Sequence, residues 1–167
     1  MRSQVHWIDL PSPGRLAIMA RPRAGDWLDE EIAGWRAEGI DIVVSLLEAE
    51  EVSELGLQRE PALCREQGIA FMSFPIPDRG VPPSLAATAA LARALSKSVG
   101  EGKAVAVHCR AGIGRSSLIA ACVMVCSGIA PTAAFDVIGR ARGLNVPDTD
   151  GQRDWLTVFC DSAATAR

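Results

Sequence analysis

Positive charge is not in excess in this sequence, tyrosine is absent, no CxxC pair occurs, and no apolar run is long. The 17 Lys and Arg stand against 20 Asp and Glu, a formal net charge of −3. A nucleic-acid binder usually carries a basic face, so nucleic acid is not an expected partner. A small anionic substrate stays compatible, because a local positive pocket can sit in an acidic protein. The five cysteines are Cys64, Cys109, Cys122, Cys126 and Cys160, an odd number without CxxC spacing. Neither a disulfide framework nor a zinc site follows from them. Cys122 and Cys126 lie four apart in an apolar stretch and read as buried small hydrophobes. A redox partnership with Cys109 is the sharper alternative. The N-terminus, Met-Arg-Ser-Gln-Val-His-Trp, lacks the apolar stretch of a signal peptide. The most apolar segment, 118–125, falls far short of a membrane span. The expectation is a cytoplasmic protein without a membrane partner.

What is present reads as one α/β domain over 1–167. The length suits one core, and 49% hydrophobic with 22% charged residues is ordinary for a globular chain. Strands are expected at 16–20, 40–47, 69–74 and 104–107. The run at 40–47 is almost wholly apolar, as in a strand buried on both faces. Helices are expected at 27–37, anchored by Trp27, Ile32 and Trp35, and at 61–67, 84–99, 115–127, 131–142 and 150–163. Pro131 suits a first helical turn and Gly143 a helix end. Trp155 and Phe159, four apart, should share a face. The alternation predicts a central, mostly parallel sheet flanked by helices. The acidic run Glu48, Glu50, Glu51, Glu54 has no His or Asp at metal-ligand spacing and reads as a solvated helix face. His6 reads as a surface residue. The first 25 residues, apart from the strand at 16–20, receive no assignment.

Residues 108–116 carry the chemistry: His108-Cys109-Arg110-Ala111-Gly112-Ile113-Gly114-Arg115-Ser116. A buried strand leads in and an apolar helix leads out. The Gly-rich loop between them can curl with its N–H groups inward, and the helix adds its own free N–H groups and positive dipole end. Arg110, Ala111, Gly112, Ile113, Gly114 and Arg115 would form a cup of phosphate size. Cys109 would sit at its base, where the same groups favour thiolate over thiol. Arg115 can reach back over the loop, and its planar fork matches two phosphate oxygens. Ser116 is placed to hydrogen-bond the sulfur, and His108 to hold the loop from below.

This segment resembles the signature loop of the cysteine-dependent protein tyrosine and dual-specificity phosphatases: His-Cys, five residues, Arg, then Ser or Thr. The resemblance runs from about Asp41 to about Leu156. It includes Val43-Val44-Ser45-Leu46-Leu47 and Phe74-Pro75-Ile76-Pro77-Asp78. It implies a metal-independent, cofactor-free enzyme with the phosphate loop between a central strand and a helix. It also implies that Asp78 is the general acid, giving a proton to the leaving oxygen and later acting as base toward water. A turn-forming Asp before Arg79-Gly80 is the plainer reading of that residue. Ile-Pro-Asp stands where the larger tyrosine phosphatases carry Trp-Pro-Asp, so the small dual-specificity branch is the nearer likeness. Arg79 lends charge at the rim or is simply solvated. The backbone of Arg110 serves the cup, while its side chain faces solvent or a carboxylate. Gln152 either positions water, as a Gln near the last helix does in relatives, or completes a capping box with Thr149. Asp148 and Asp150 rank below Asp78 as acids.

The expected activity is hydrolysis of phosphate monoesters on protein Tyr, extending to Ser and Thr, through a cysteinyl-phosphate. Missing tyrosine means a missing Tyr-bearing ring-stacking loop, hence a shallower and more tolerant pocket. A phosphoinositide or inositol phosphate is the lesser substrate, since the loop from Cys109 to Arg115 holds no Lys. A rhodanese-like sulfurtransferase would have no use for Asp78. A phosphate-binding module without activity would have no use for nucleophile, clamp and acid together.

Overall fold

The computed structural model describes residues 3–165; Met1, Arg2, Ala166 and Arg167 of the expected domain lie outside the described residues. The strands are β1 (Val5–Ile8), β2 (Arg15–Met19), β3 (Ile42–Ser45), β4 (Ala70–Ser73) and β5 (Ala104–His108). They form one sheet in the order β1-β2-β5-β3-β4, parallel except for β1, which pairs antiparallel with β2. β5 is central. Its last residue, His108, stands level with Met19 of β2 and Ser45 of β3. The chain therefore leaves the sheet for the phosphate loop at the carboxyl end of the central strand, where open α/β sheets carry their sites.

Helices cover both faces. They are α1 (Leu28–Ala37), α2 (Ala49–Leu55), α3 (Glu60–Glu66), α4 (Leu85–Gly100), α5 (Arg115–Cys126), α6 (Pro131–Arg142) and α7 (Asp150–Thr165). Successive strand residues enter opposite cores. Leu16, Ile18, Val44, Val105 and Val107 pack with α4, α5, α6 and α7. Ala17, Met19, Val43 and Ala106 pack with α1 and α3. Burial on both faces explains why β3 and β5 read as nearly continuous apolar runs. β4 is one of the two edge strands and is mostly exposed. Ser84 caps α4, its Oγ accepting the Ala87 N–H at 3.1 Å. Trp155 and Phe159 stack with ring centroids 6.0 Å apart.

Three expectations are corrected. The unassigned N-terminus contributes β1, a strand of only four residues; His6 lies within it and is buried. Trp27 is not an anchor of α1. It precedes the helix in a 3-10 turn (Gly25–Trp27), is 55% exposed, and carries the Arg23 guanidinium 4.8 Å above its ring. Leu28, Ile32 and Trp35 are the buried anchors. The acidic run is not a uniformly solvated face. Glu50 and Glu54 are exposed, but Glu51 points inward and is buried.

Candidate active site

The phosphate loop is shaped from outside by its carbonyl groups. The His108 carbonyl accepts from Leu46 N at 3.0 Å, and that of Arg110 from Arg21 N at 3.3 Å. The Cys109 carbonyl faces Nδ1 of His108 at 3.3 Å. Arg142, at the end of α6, donates from Nε to the Gly112 carbonyl at 2.9 Å and from Nη2 to that of Ala111 at 3.3 Å. In a planar trans peptide the C=O and the next N–H point opposite ways. Five consecutive carbonyls tied outward, 108 to 112, thus turn the N–H groups of 109 to 113 toward a common centre. Such a nest of N–H groups, at the start of α5, binds an anion.

Two glycines allow this curl. Gly112 has φ +69°, and a Cβ there would lie 2.6 Å from both Met19 C and Ala20 N, so the loop is pressed onto the end of β2. A Cβ on Gly114 would lie 2.8 Å from Gln152 Oε1 and from the Asp148 Cβ, so α7 closes on the loop from the other side.

Cys109 is buried, and its Sγ lies 3.3 Å from Ser116 Oγ. When the sulfur is a thiolate the hydroxyl can only donate to it. Arg115 is 2% exposed, and both of its Nη atoms are engaged. Nη1 donates to Glu51 Oε2 at 2.8 Å and to the Ile76 carbonyl at 2.9 Å. Nη2 donates to Glu51 Oε1 at 2.9 Å and to Asp78 Oδ1 at 3.0 Å. Burial alone would favour a neutral Arg115. The Glu51 hydrogen bonds, the charge of a Cys109 thiolate, and the carboxylates of Glu51 and Asp78 outweigh it and hold the guanidinium more firmly protonated than usual. Burial alone would likewise raise the Glu51 carboxyl. Bonds from Arg115 and the Glu48 N–H, with the charges of Arg115 and Arg110, bring it below the ordinary carboxylate value.

Asp78 follows Ile76, whose side chain is buried and whose N–H donates to the Leu46 carbonyl at 3.0 Å. The loop that carries Asp78 is thereby fixed to the end of β3. Arg79 has φ +59°, and its Nε donates to Asp148 Oδ2 at 3.0 Å while most of its side chain stays exposed. Gln152 makes the capping contacts. Its N–H donates to Thr149 Oγ1 at 3.1 Å, and its Oε1 accepts from the N–H groups of Asp148 and Thr149, a capping box. Its Nε2 donates to the Gly80 carbonyl at 3.0 Å, tying the loop that carries Asp78 to α7. Arg110 faces Glu54 at 3.6 Å.

These residues surround a cleft of about 220 Å³ lined by Asp78, Arg79, Cys109, Arg110, Arg115 and Gln152, with Ala111, Gly114 and Asp148. Among the described residues no aromatic ring lines it. The other expected residues stand around it: Gly112 and Ile113 in the loop, Ser116 against the sulfur, His108 below. Among the described residues no group of three or more His, Cys, Asp and Glu is placed to hold a metal ion, and no helix is long and apolar enough to cross a membrane. Cys122 is wholly buried, which pushes its thiol well above the ordinary value; Cys64 is pushed to about 12, mainly by burial. Thiols held protonated are poor exchange partners, which favours the packing reading of Cys122.

Sequence reasoning missed Glu51, Glu60 and Arg142. Glu51 left a trace: Glu48 and Glu51 form the capping box of α2, the Glu48 N–H donating to Glu51 Oε2 at 2.9 Å, which turns Glu51 back toward the sheet. Glu60, at the start of α3, places Oε1 2.6 Å from His108 Nε2 and is buried. Arg142 left only its place at the end of a helix, where a cation is common.

A family model described as "Swiss Army Knife protein, DSP-PTPase phosphatase domain" (PTP-SAK) matches residues 2–153. Cyclin-dependent kinase inhibitor 3 of Rattus norvegicus is 28% identical over 131 residues, 77% of this chain and 61% of the relative. Protein tyrosine phosphatase domain-containing protein 1 of Mus musculus is 32% identical over 162 residues, 91% of this chain and 21% of the relative. The chain thus spans only part of the length of the curated relatives it matches. The crystal structure of kinase associated phosphatase (KAP), with its catalytic-site cysteine replaced by serine, is similar in fold, with a TM-score of 0.89 at 24% identity over 98% of this chain and 97% of that one. Tk-PTP in its active form has a TM-score of 0.74 at 26% identity over 94% and 96%. PTPMT1 in complex with PI(5)P has a TM-score of 0.74 at 20% identity over 96% and 99%. With the family match spanning nearly all of its length, the chain belongs to the DSP-PTPase phosphatase-domain family, in the small dual-specificity-like branch of the protein tyrosine phosphatases.

Proposed function

We propose that this chain hydrolyses phosphate monoesters through a cysteinyl-phosphate intermediate, with residues 1–167 acting as one catalytic domain. The observation that carries the reading is the convergence of Cys109 and Arg115 on the nest made by the outward-tied carbonyls. The Cys109 thiolate attacks phosphorus, the P–S bond forms, and the P–O bond to the leaving group breaks. Asp78 gives its proton to the departing oxygen. The loop N–H groups and the Arg115 fork hold the equatorial oxygens, where charge spreads in the transition state. Water then attacks phosphorus while the Asp78 carboxylate takes its proton. The P–S bond breaks, phosphate leaves, and the Ser116 hydroxyl donates to the returning thiolate, 3.3 Å away.

The substrate we infer is a phosphorylated protein, bearing phosphotyrosine first and phosphoserine or phosphothreonine as well, acted on in the cytoplasm without metal or cofactor. A cleft of about 220 Å³ without an aromatic wall supports tolerance of more than one phosphoamino acid. The lesser reading is a phosphoinositide or inositol phosphate. The arginines at the rim, Arg79 and Arg110, and the PTPMT1 complex with PI(5)P keep it in view; the absence of Lys between Cys109 and Arg115 stands against it.

The deciding experiment is hydrolysis of para-nitrophenyl phosphate in the presence of EDTA, comparing the natural chain with Cys109→Ser. Turnover in the first and none in the second is expected. Turnover by Cys109→Ser would remove the cysteinyl-phosphate.

A further inference from the structure

Beneath the loop lies a buried ionisable pair that the proposed reaction does not use directly. His108 is fully buried, and its Nε2 lies 2.6 Å from Oε1 of Glu60, itself 1% exposed. The other ring nitrogen, Nδ1, faces the Cys109 carbonyl at 3.3 Å. Trp35 packs against the ring with centroids 6.2 Å apart. A carbonyl oxygen only accepts, so the Nδ1 contact is a hydrogen bond only when Nδ1 carries a proton. The Nε2 contact holds a second proton between Nε2 and the Glu60 carboxylate. The ring is therefore held from both ends, by the Glu60 carboxyl at Nε2 and by the Cys109 carbonyl at Nδ1.

We propose that Glu60 is a positioning residue of the phosphatase reaction. It holds the His108 ring through Nε2 with Nδ1 facing the Cys109 carbonyl, and His108 pins that carbonyl away from the cup. This rests on the reading of Cys109 as nucleophile. The peptide joining Cys109 and Arg110 is one rigid plane, so drawing its carbonyl toward His108 delivers the Arg110 N–H to the phosphate side. The N–H adjoining the nucleophile is thus set by a carboxylate on α3, a different segment of the chain. Without the Glu60 contact the ring is no longer held at Nε2, can turn away from the carbonyl, and releases the peptide from that side.

Two measurements test the proposal. The first needs no variant: nitrogen-15 NMR of the imidazole rings, simplified by there being only two histidines, His6 and His108. A protonated Nδ1 on His108 at pH 7 is expected, with a strongly downfield, slowly exchanging ring N–H. A bare Nδ1 overturns the proposal whatever the activity. The second is a double-mutant cycle with Glu60→Gln and His108→Asn, read by kcat and KM on para-nitrophenyl phosphate. Glu60→Gln should lower kcat by about tenfold and change KM by less than about twofold, and should cost little further once His108→Asn is present. Losses that multiply in the double variant overturn the coupling through His108. Turnover by Cys109→Ser would instead remove the parent reading, and the NMR result would stand apart from it.

Discussion

Glu51 grips Arg115 with both carboxylate oxygens, Oε2 to Nη1 at 2.8 Å and Oε1 to Nη2 at 2.9 Å, inside a largely buried site. Fork-to-fork pairing fixes the guanidinium plane as well as its position. Glu51→Gln keeps the shape and removes the charge. It should lower kcat/KM by at least tenfold and stability at pH 7 by on the order of 2 kcal/mol, the worth of a hydrogen bond to a charged group. The pH dependence has a definite sign. The folded protein holds the Glu51 carboxyl below its ordinary 4.5. Its stabilisation is therefore complete above that value and is lost as pH falls through the lowered one. Urea unfolding at pH 7 and below pH 4 should show the gap between the two proteins closing on acidification; a constant gap would separate Glu51 from that titration.

In the proposed reaction Asp78 serves both chemical steps and Ser116 the second. Asp78→Asn should slow a substrate with a poor leaving group, such as phenyl phosphate, on the order of 10²-fold, and para-nitrophenyl phosphate far less. Equal losses would take the acid role from Asp78. Ser116→Ala should slow loss of the phosphate from sulfur more than its arrival. Rapid mixing should then reveal a burst of nitrophenol followed by slow turnover, with phosphocysteine trapped on acid quench. A slower rate with no burst would move Ser116 out of the second step.

Arg142 acts on the loop from α6, through two carbonyls and no substrate contact. Arg142→Ala should weaken binding of vanadate or phosphate by about tenfold, because the N–H groups of Gly112 and Ile113 lose their fixed direction. Arg142→Lys should not restore it, since an ammonium cannot offer the same planar fork to two neighbouring carbonyls. Calorimetric titration of phosphate reads this directly; restoration by Lys would reduce Arg142 to a point charge.

Gly112→Ala should be the most damaging methyl that can be added to the loop. The φ of +69° disfavours any side chain, and the backbone at Met19 and Ala20 stands 2.6 Å from the new carbon. A loss of about 1–3 kcal/mol together with loss of turnover is expected. Gly151→Ala, which meets nothing closer than 3.8 Å in its helix, serves as the neutral comparison. Full activity in Gly112→Ala would mean that the loop relaxes without cost.

The sheet and helices were largely legible because their residues repeat. Val43 and Val44 are both apolar because β3 is covered on both faces. The signature loop was legible because a strand, two glycines and a helix enforce one geometry over nine residues. β1 was not, since Val5–Ile8 is short and includes His and Trp, and only pairing with β2 makes it a strand. The supports of the site escaped for a different reason. Glu51, Glu60 and Arg142 act on residues 64, 48 and about 30 positions away in the chain. Nothing local tells an inward Glu51 from an outward Glu50 except the backward turn of a capping box.

The contact between Gly112 and the end of β2, joined by the Arg21 N–H on the Arg110 carbonyl, has a consequence for fragments of this protein. A proteolytic product or a late-starting transcript beginning just after Arg21 would retain every residue that touches phosphate. It would also have lost the wall against which the loop is moulded. Such a fragment would pass any inventory of the motif and still be expected to bind phosphate poorly, so the minimal functional unit of this enzyme is larger than its set of reactive residues.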